Sequence, residues 1–170
     1  MSHAYRAVLQ LKKMIHNLDQ WLAKAAESAT NRKFDPDILL GARLAPDQYP
    51  LVRQVQAACD GAKLAAARLS GREAPRHEDN ETTLDALRAR TALVIEFLNT
   101  FNESDFDGVD TRLVSLPFAP GMVIDAHDFL VEMAQPNTYF HLCMAYAILR
   151  HNGVDLGKRD YIGSMALRPA

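Results

Sequence analysis

Cysteine is nearly missing from this chain. There are two in 170 residues, Cys59 and Cys143, far apart and in no close-spaced pair. That excludes a disulfide scaffold and a Cys-x-x-Cys zinc or redox motif. Both thiols are expected to be small core residues of a protein in a reducing compartment. Long apolar runs are missing too: no 18-residue stretch occurs that would span a bilayer, and the N-terminal MSHAYRAVLQLKK lacks the apolar segment of a signal peptide. Nor does either sign of charge dominate, with 19 basic and 21 acidic residues interspersed and a net charge of −2. This balance gives no electrostatic footprint for nucleic acid and no polybasic membrane patch. No Gly-rich phosphate loop or nucleotide fingerprint is present. The expectation is a cytoplasmic protein with neither nucleic acid nor membrane as a partner.

What is present is apolar periodicity. The apolar fraction is 48% and the charged fraction 24%, ordinary for a globular chain, and the length suits a single domain over residues 1–170. Val8, Leu11, Ile15, Leu18, Leu22 and Ala25 follow a 3-4 spacing, widened by Met14 and Trp21. A second series runs Val52, Val55, Cys59, Ala62, Ala66, Leu69, and a third Leu84, Leu87, Thr91, Val94, Leu98, Phe101. The fourth is Met133, Asn137, Phe140, Met144, Ala147. Each spacing lines one face of a helix, and four amphipathic helices of similar length predict an all-α four-helix bundle.

The punctuation fits. Asp47 precedes the second helix with Pro50 in its first turn, and Gly71 follows its last apolar residue. Asn80 or Thr82 is expected to cap the third, with Thr82 and Asp85 as a capping-box variant. Asn152-Gly153 ends the fourth. The link from helix three to helix four, residues 103–124, is too long for a bundle turn, and Pro120-Gly121 between two apolar stretches predicts a small β-hairpin. A short helix is expected from Asp125 or Asp128 to Ala134, after which Pro136 either kinks it or begins helix four afresh. The tail after Gly153 is expected to pack as irregular chain.

Asn137 and His141 stand out as polar residues one turn apart within the fourth series. Buried polar groups need partners. An imidazole and an amide on one helix face suit either a hydrogen-bond network, a small-molecule pocket or a metal site.

Three stretches carry a family resemblance: Ala42–Asp60 (ARLAPDQYPLVRQVQAACD), His77–Thr83 (HEDNETT) and Leu149–Gly163 (LRHNGVDLGKRDYIG). Together they resemble an uncharacterised bacterial family of unknown function related to the DinB/YfiT-like metalloenzymes. The resemblance covers nearly the whole chain. It implies a DinB-like four-helix bundle, often a homodimer, and no established activity. The better understood relatives resemble metal-dependent thiol transferases and isomerases, using mycothiol, bacillithiol or glutathione. They hold zinc or nickel through one histidine on helix two and a His-x-x-x-His pair on helix four.

Carried onto this chain, His141 occupies the second position of the helical pair, Asn137 the first, and Gln56 the helix-two position. One imidazole and two amides therefore replace three imidazoles. Amide oxygens are weak ligands for zinc or nickel. The leading expectation is a small-molecule-binding or structural bundle without an intact three-histidine site. The alternatives are a degenerate metal-dependent thiol transferase, keeping His141, Gln56 and Asn137 as a remnant site for zinc or nickel, and a dimeric interaction module. Tyr161, Ile162, Met165 and Leu167 are the expected interface or lid residues of the tail.

Overall fold

The computed structural model describes residues 1–169; Ala170, the last residue of the expected domain, lies outside them. Helix α1 (His3–Arg32) starts where the Ser2 hydroxyl accepts from the Tyr5 amide and ends at Lys33, in the left-handed region at φ 57°. A 3-10 turn (Pro36–Gly41) leads to α2 (Leu51–Ser70), then α3 (Leu84–Asn99). Two further 3-10 turns precede a hairpin of β1 (Leu113–Ser115) and β2 (Val123–Asp125), antiparallel with Val114 opposite Ile124. The chain then winds continuously through α4 (Ala126–Asp128), a π-helical turn (Phe129–Ala134) and α5 (Gln135–His151). A short α6 (Lys158–Ile162) follows. The bundle is formed by α1, α2, α3 and α5, with the hairpin inserted between the last two, as the spacing predicts.

The first and third seams are buried throughout, and the second is buried except for half-buried Val52. Helix α2 touches α1, α3 and α5, so its buried face also takes in Leu51, Gln54, Gln56, Ala58, Lys63 and Ala65. The cap of α3 is Thr83, one residue beyond Thr82; its hydroxyl accepts from the Ala86 amide. Asp37, reaching from the first 3-10 turn, accepts from the Leu84 amide at 2.7 Å. Two of the orphan amides at this terminus are thus satisfied by side chains.

The fourth seam is displaced by one residue. Ala134, Thr138, His141, Ala145 and Ile148 are buried, each directly after an expected seam residue, whereas Phe140 is 55% exposed. The cause lies in α2, where Gly61 stands among buried Ala58, Ala62 and Ala65. A Cβ on Gly61 would collide with the Thr138 hydroxyl. Two helices this close require small residues on both, so smallness rather than hydrophobicity marks the interface. Pro136 lies in the first turn of α5, which begins at Gln135 directly after the π turn. It lacks an N–H to continue the ladder, and the preceding turn widens instead, with the Gln135 amide bonding the Leu130 carbonyl.

The tail is also more ordered than expected. Tyr161 on α6 stacks on Trp21 at 5.4 Å, the indole N–H donates to the Asp160 carbonyl at 3.0 Å, and Lys24 pairs with Asp160 at 2.7 Å. Tyr161 is therefore half-buried against α1, while Met165 and Leu167 remain exposed. Cys143 is exposed, so only Cys59 is a core thiol. Among the described residues no helix is long and apolar enough to cross a membrane.

Candidate functional site: a groove between α2 and the π turn

His141 is 8% exposed and its Nδ1 lies 2.8 Å from Oε1 of Gln54. The Gln54 amide nitrogen donates to the Tyr49 carbonyl at 3.1 Å. A carbonyl can only accept, so the orientation of Gln54 follows, and with it the imidazole tautomer: Nδ1 carries the proton and Nε2 keeps its lone pair. Burial, then the Arg53 charge, holds the imidazole below its ordinary pKa of 6.5 and so neutral. The helix-two partner of His141 is thus Gln54 rather than Gln56. Because α2 is buried on several sides, distance from its apolar seam does not place Gln54 on the surface.

Gln56 belongs to a second network. Its amide nitrogen donates to Glu81 at 2.7 Å and its oxygen accepts from Arg53 at 2.8 Å. At the centre lies Arg90 of α3, 2% exposed, bonded to Asp60, Asp79 and Glu81 at 3.0, 2.7 and 3.0 Å. Lys63 pairs with Asp60 at 2.8 Å and donates to His77 Nδ1 at 3.0 Å. The Asp60–Lys63 pair therefore sits with its lysine buried rather than on an open surface. Burial opposes ionisation of Asp79 and Glu81. The Arg53 and Arg90 contacts outweigh it at Asp79, and the Gln56 and Arg90 bonds at Glu81, holding both carboxyls below their usual range.

In front of this network runs a groove of about 200 Å³ between α2 and the α4–π–α5 segment. Its lining includes Arg53, Asp60, Arg68, Asp79, Met133 and Asn137. Asn137 is half-buried at its α5 wall rather than inside the bundle. The π turn places Phe129, Met133 and Ala134 along the groove; such insertions often occur at functional sites. Gly61 and Ala57 leave the α2 wall bare, and half-buried Leu64 and Met133 give the groove apolar surface beside charged groups already held in place.

The three residues expected as a remnant metal site are not drawn together. His141 bonds Gln54, Gln56 bonds Glu81 and Arg53, and Asn137 faces the groove. Among the described residues no three His, Cys, Asp or Glu side chains converge where they could hold an ion. One imidazole lone pair is short of the three protein ligands zinc needs, so the donor set does not fit a three-histidine centre. Cys59 is no nucleophile either: burial pushes its thiol up to about 12.

Gln54, Arg68 and Arg90 escaped the apolar pattern. Arg90 could have been found from its register, three residues after Leu87 and four before Val94, a cation on a buried seam opposite Asp79 and Glu81 of the preceding loop. Arg68 carries no comparable signal.

The fold and groove define a DinB-like helical bundle. A crystal structure of a DinB family member from Shewanella denitrificans is 47% identical and superposes with a TM-score of 0.93, covering 98% of this chain and 95% of that one. The family model for a domain of unknown function, DUF1993, matches residues 5–162, and the chain belongs to that family. No curated protein matches the chain.

Proposed function

We propose that this protein binds a small molecule in the groove between α2 and the α4–π–α5 segment. One observation carries the reading: Asp60 and Asp79, two of the polar groups of the groove, are fixed from behind by buried Arg90. An apolar floor beside polar groups that cannot relax is what a selective small-ligand site requires. The volume suits a ligand smaller than the roughly 300–1,000 Å³ class of drug-sized pockets. Asn137→Trp, which fills the groove from its α5 wall, tests the reading. In a ligand-observed magnetic resonance screen of small polar fragments, hits on the native protein are expected to vanish in the variant while its unfolding midpoint holds. Hits that persist unchanged would refute the groove as the site.

A metal-dependent thiol transferase is the second reading, favoured by one feature, the Nε2 lone pair that the Gln54 bond leaves available on His141. Elemental analysis of untagged protein beside His141→Ala decides it. Near-stoichiometric zinc or nickel lost in the variant would establish it, and its absence from both would remove it. We also propose the homodimer that the family resemblance implies, for which sedimentation velocity is the direct measurement.

A further inference from the structure

We propose that the ligand of this groove is a small monocarboxylate, with its carboxylate paired to Arg68 and a short apolar body against Leu64 and Met133. The proposal rests on the groove reading above and adds its chemistry. Four cations gather in and behind the groove. Arg53 is bonded to Asp79 and Gln56, Arg90 to Asp60, Asp79 and Glu81, and Lys63 to Asp60 and His77. That uses every carboxylate of the cluster. Arg68 is left over: among the described residues it makes no ion pair or hydrogen bond, and its guanidinium lies over the Phe129 ring, 5.6 Å from the centroid.

On an open surface a lone arginine means little. Arg68 is half-buried at a groove wall, and burial draws its pKa below the ordinary arginine value. A partly desolvated cation without a counter-charge is a cost that an incoming anion relieves. The guanidinium fork matches a carboxylate in two parallel hydrogen bonds, while its aromatic neighbour holds the plane. Two features narrow the anion. Asp60 and Asp79 stand in the same lining and repel a polyanion such as a polyphosphate, and the volume of about 200 Å³ leaves room for only a short body.

Isovalerate and its uncharged isostere isovaleramide separate charge from shape, with inorganic phosphate as a bare anion. Each is titrated calorimetrically at millimolar concentration into the full chain, native and as Arg68→Met and Arg68→Lys. Methionine keeps the packing on Phe129 without the charge. The native protein should bind the acid at least about tenfold more tightly than the amide. Arg68→Met should bring the acid down to the level of the amide and leave the amide unchanged, and Arg68→Lys should restore part of the difference. Equal binding of acid and amide overturns the carboxylate assignment but leaves the groove reading standing. So does phosphate binding more tightly than the acid, or acid binding that survives Arg68→Met. If none of the three binds, the carboxylate assignment falls, and the fragment screen on Asn137→Trp decides the groove reading separately. Should Arg68→Met not fold, the acid–amide comparison on the native chain and Arg68→Lys still decides.

Discussion

His141 shows how one hydrogen bond sets a side chain's chemistry. The Tyr49 carbonyl orients Gln54, Gln54 takes the Nδ1 proton, and the ring stays neutral in a buried place. Removing it leaves Gln54 Oε1 without its partner, so His141→Ala should destabilise by about 1–3 kcal/mol, the cost of an unpaired buried polar group. Chemical denaturation checks this, and an unchanged midpoint would mean the bond contributes nothing. The same burial has a pH consequence. His141 and His77 both titrate below 6.5 in the fold, His77 through burial and then the Lys63 and Arg90 charges. The unfolded chain therefore takes up protons first as pH falls. Stability should be full above about pH 6.5 and decline as pH drops from there through the folded values. In the double variant His77→Gln/His141→Gln the unfolding midpoint should be flatter across that range. An equally steep profile would place the titration elsewhere.

Among the elements, the α2–α5 contact is the most demanding, because Gly61 admits Thr138 where any Cβ would collide. Gly61→Ala should cost about 1–3 kcal/mol by overpacking, and adding Thr138→Ala should recover part of it, since the two sites share one contact. Strict additivity of the two changes in a denaturation cycle would show that they do not meet. This contact also marks where the sequence stops being legible. The apolar stripes of α1 and α3 follow their burial because they are built from large side chains, and that of α2 because the helix is enclosed by α1, α3 and α5. Along α5 the approach to α2 is close where Thr138 meets Gly61, small residues stand at Ala134, Thr138 and Ala145 on that side, and the larger Phe140 turns outward. A pattern read from hydrophobicity then slips by one residue, drawing Asn137 inward and missing the groove it lines. Gln54 was hidden for a related reason: a helix buried on three sides has no polar face to contrast with its seam.

At the scale of the whole molecule, α6 joins the C-terminal segment back to α1. Trp21 is the only tryptophan, fully buried and stacked on Tyr161, so its fluorescence reports that docking. Tyr161→Ala should shift the Trp21 emission to the red and lower stability by less than the roughly 3–5 kcal/mol of a fully buried aromatic truncation; unchanged emission would mean that α6 does not cover the indole. On another side of the bundle lies the groove, with α2, the π turn and α5 as walls and the Arg90 network behind.

The most direct test of that arrangement is to follow the labelled Met133 methyl group and the Asn137 side-chain amide by magnetic resonance while small carboxylates are added. Binding should move both signals together and leave exposed Met165 unmoved. Carboxylates that bind without disturbing Met133 or Asn137 would contradict it.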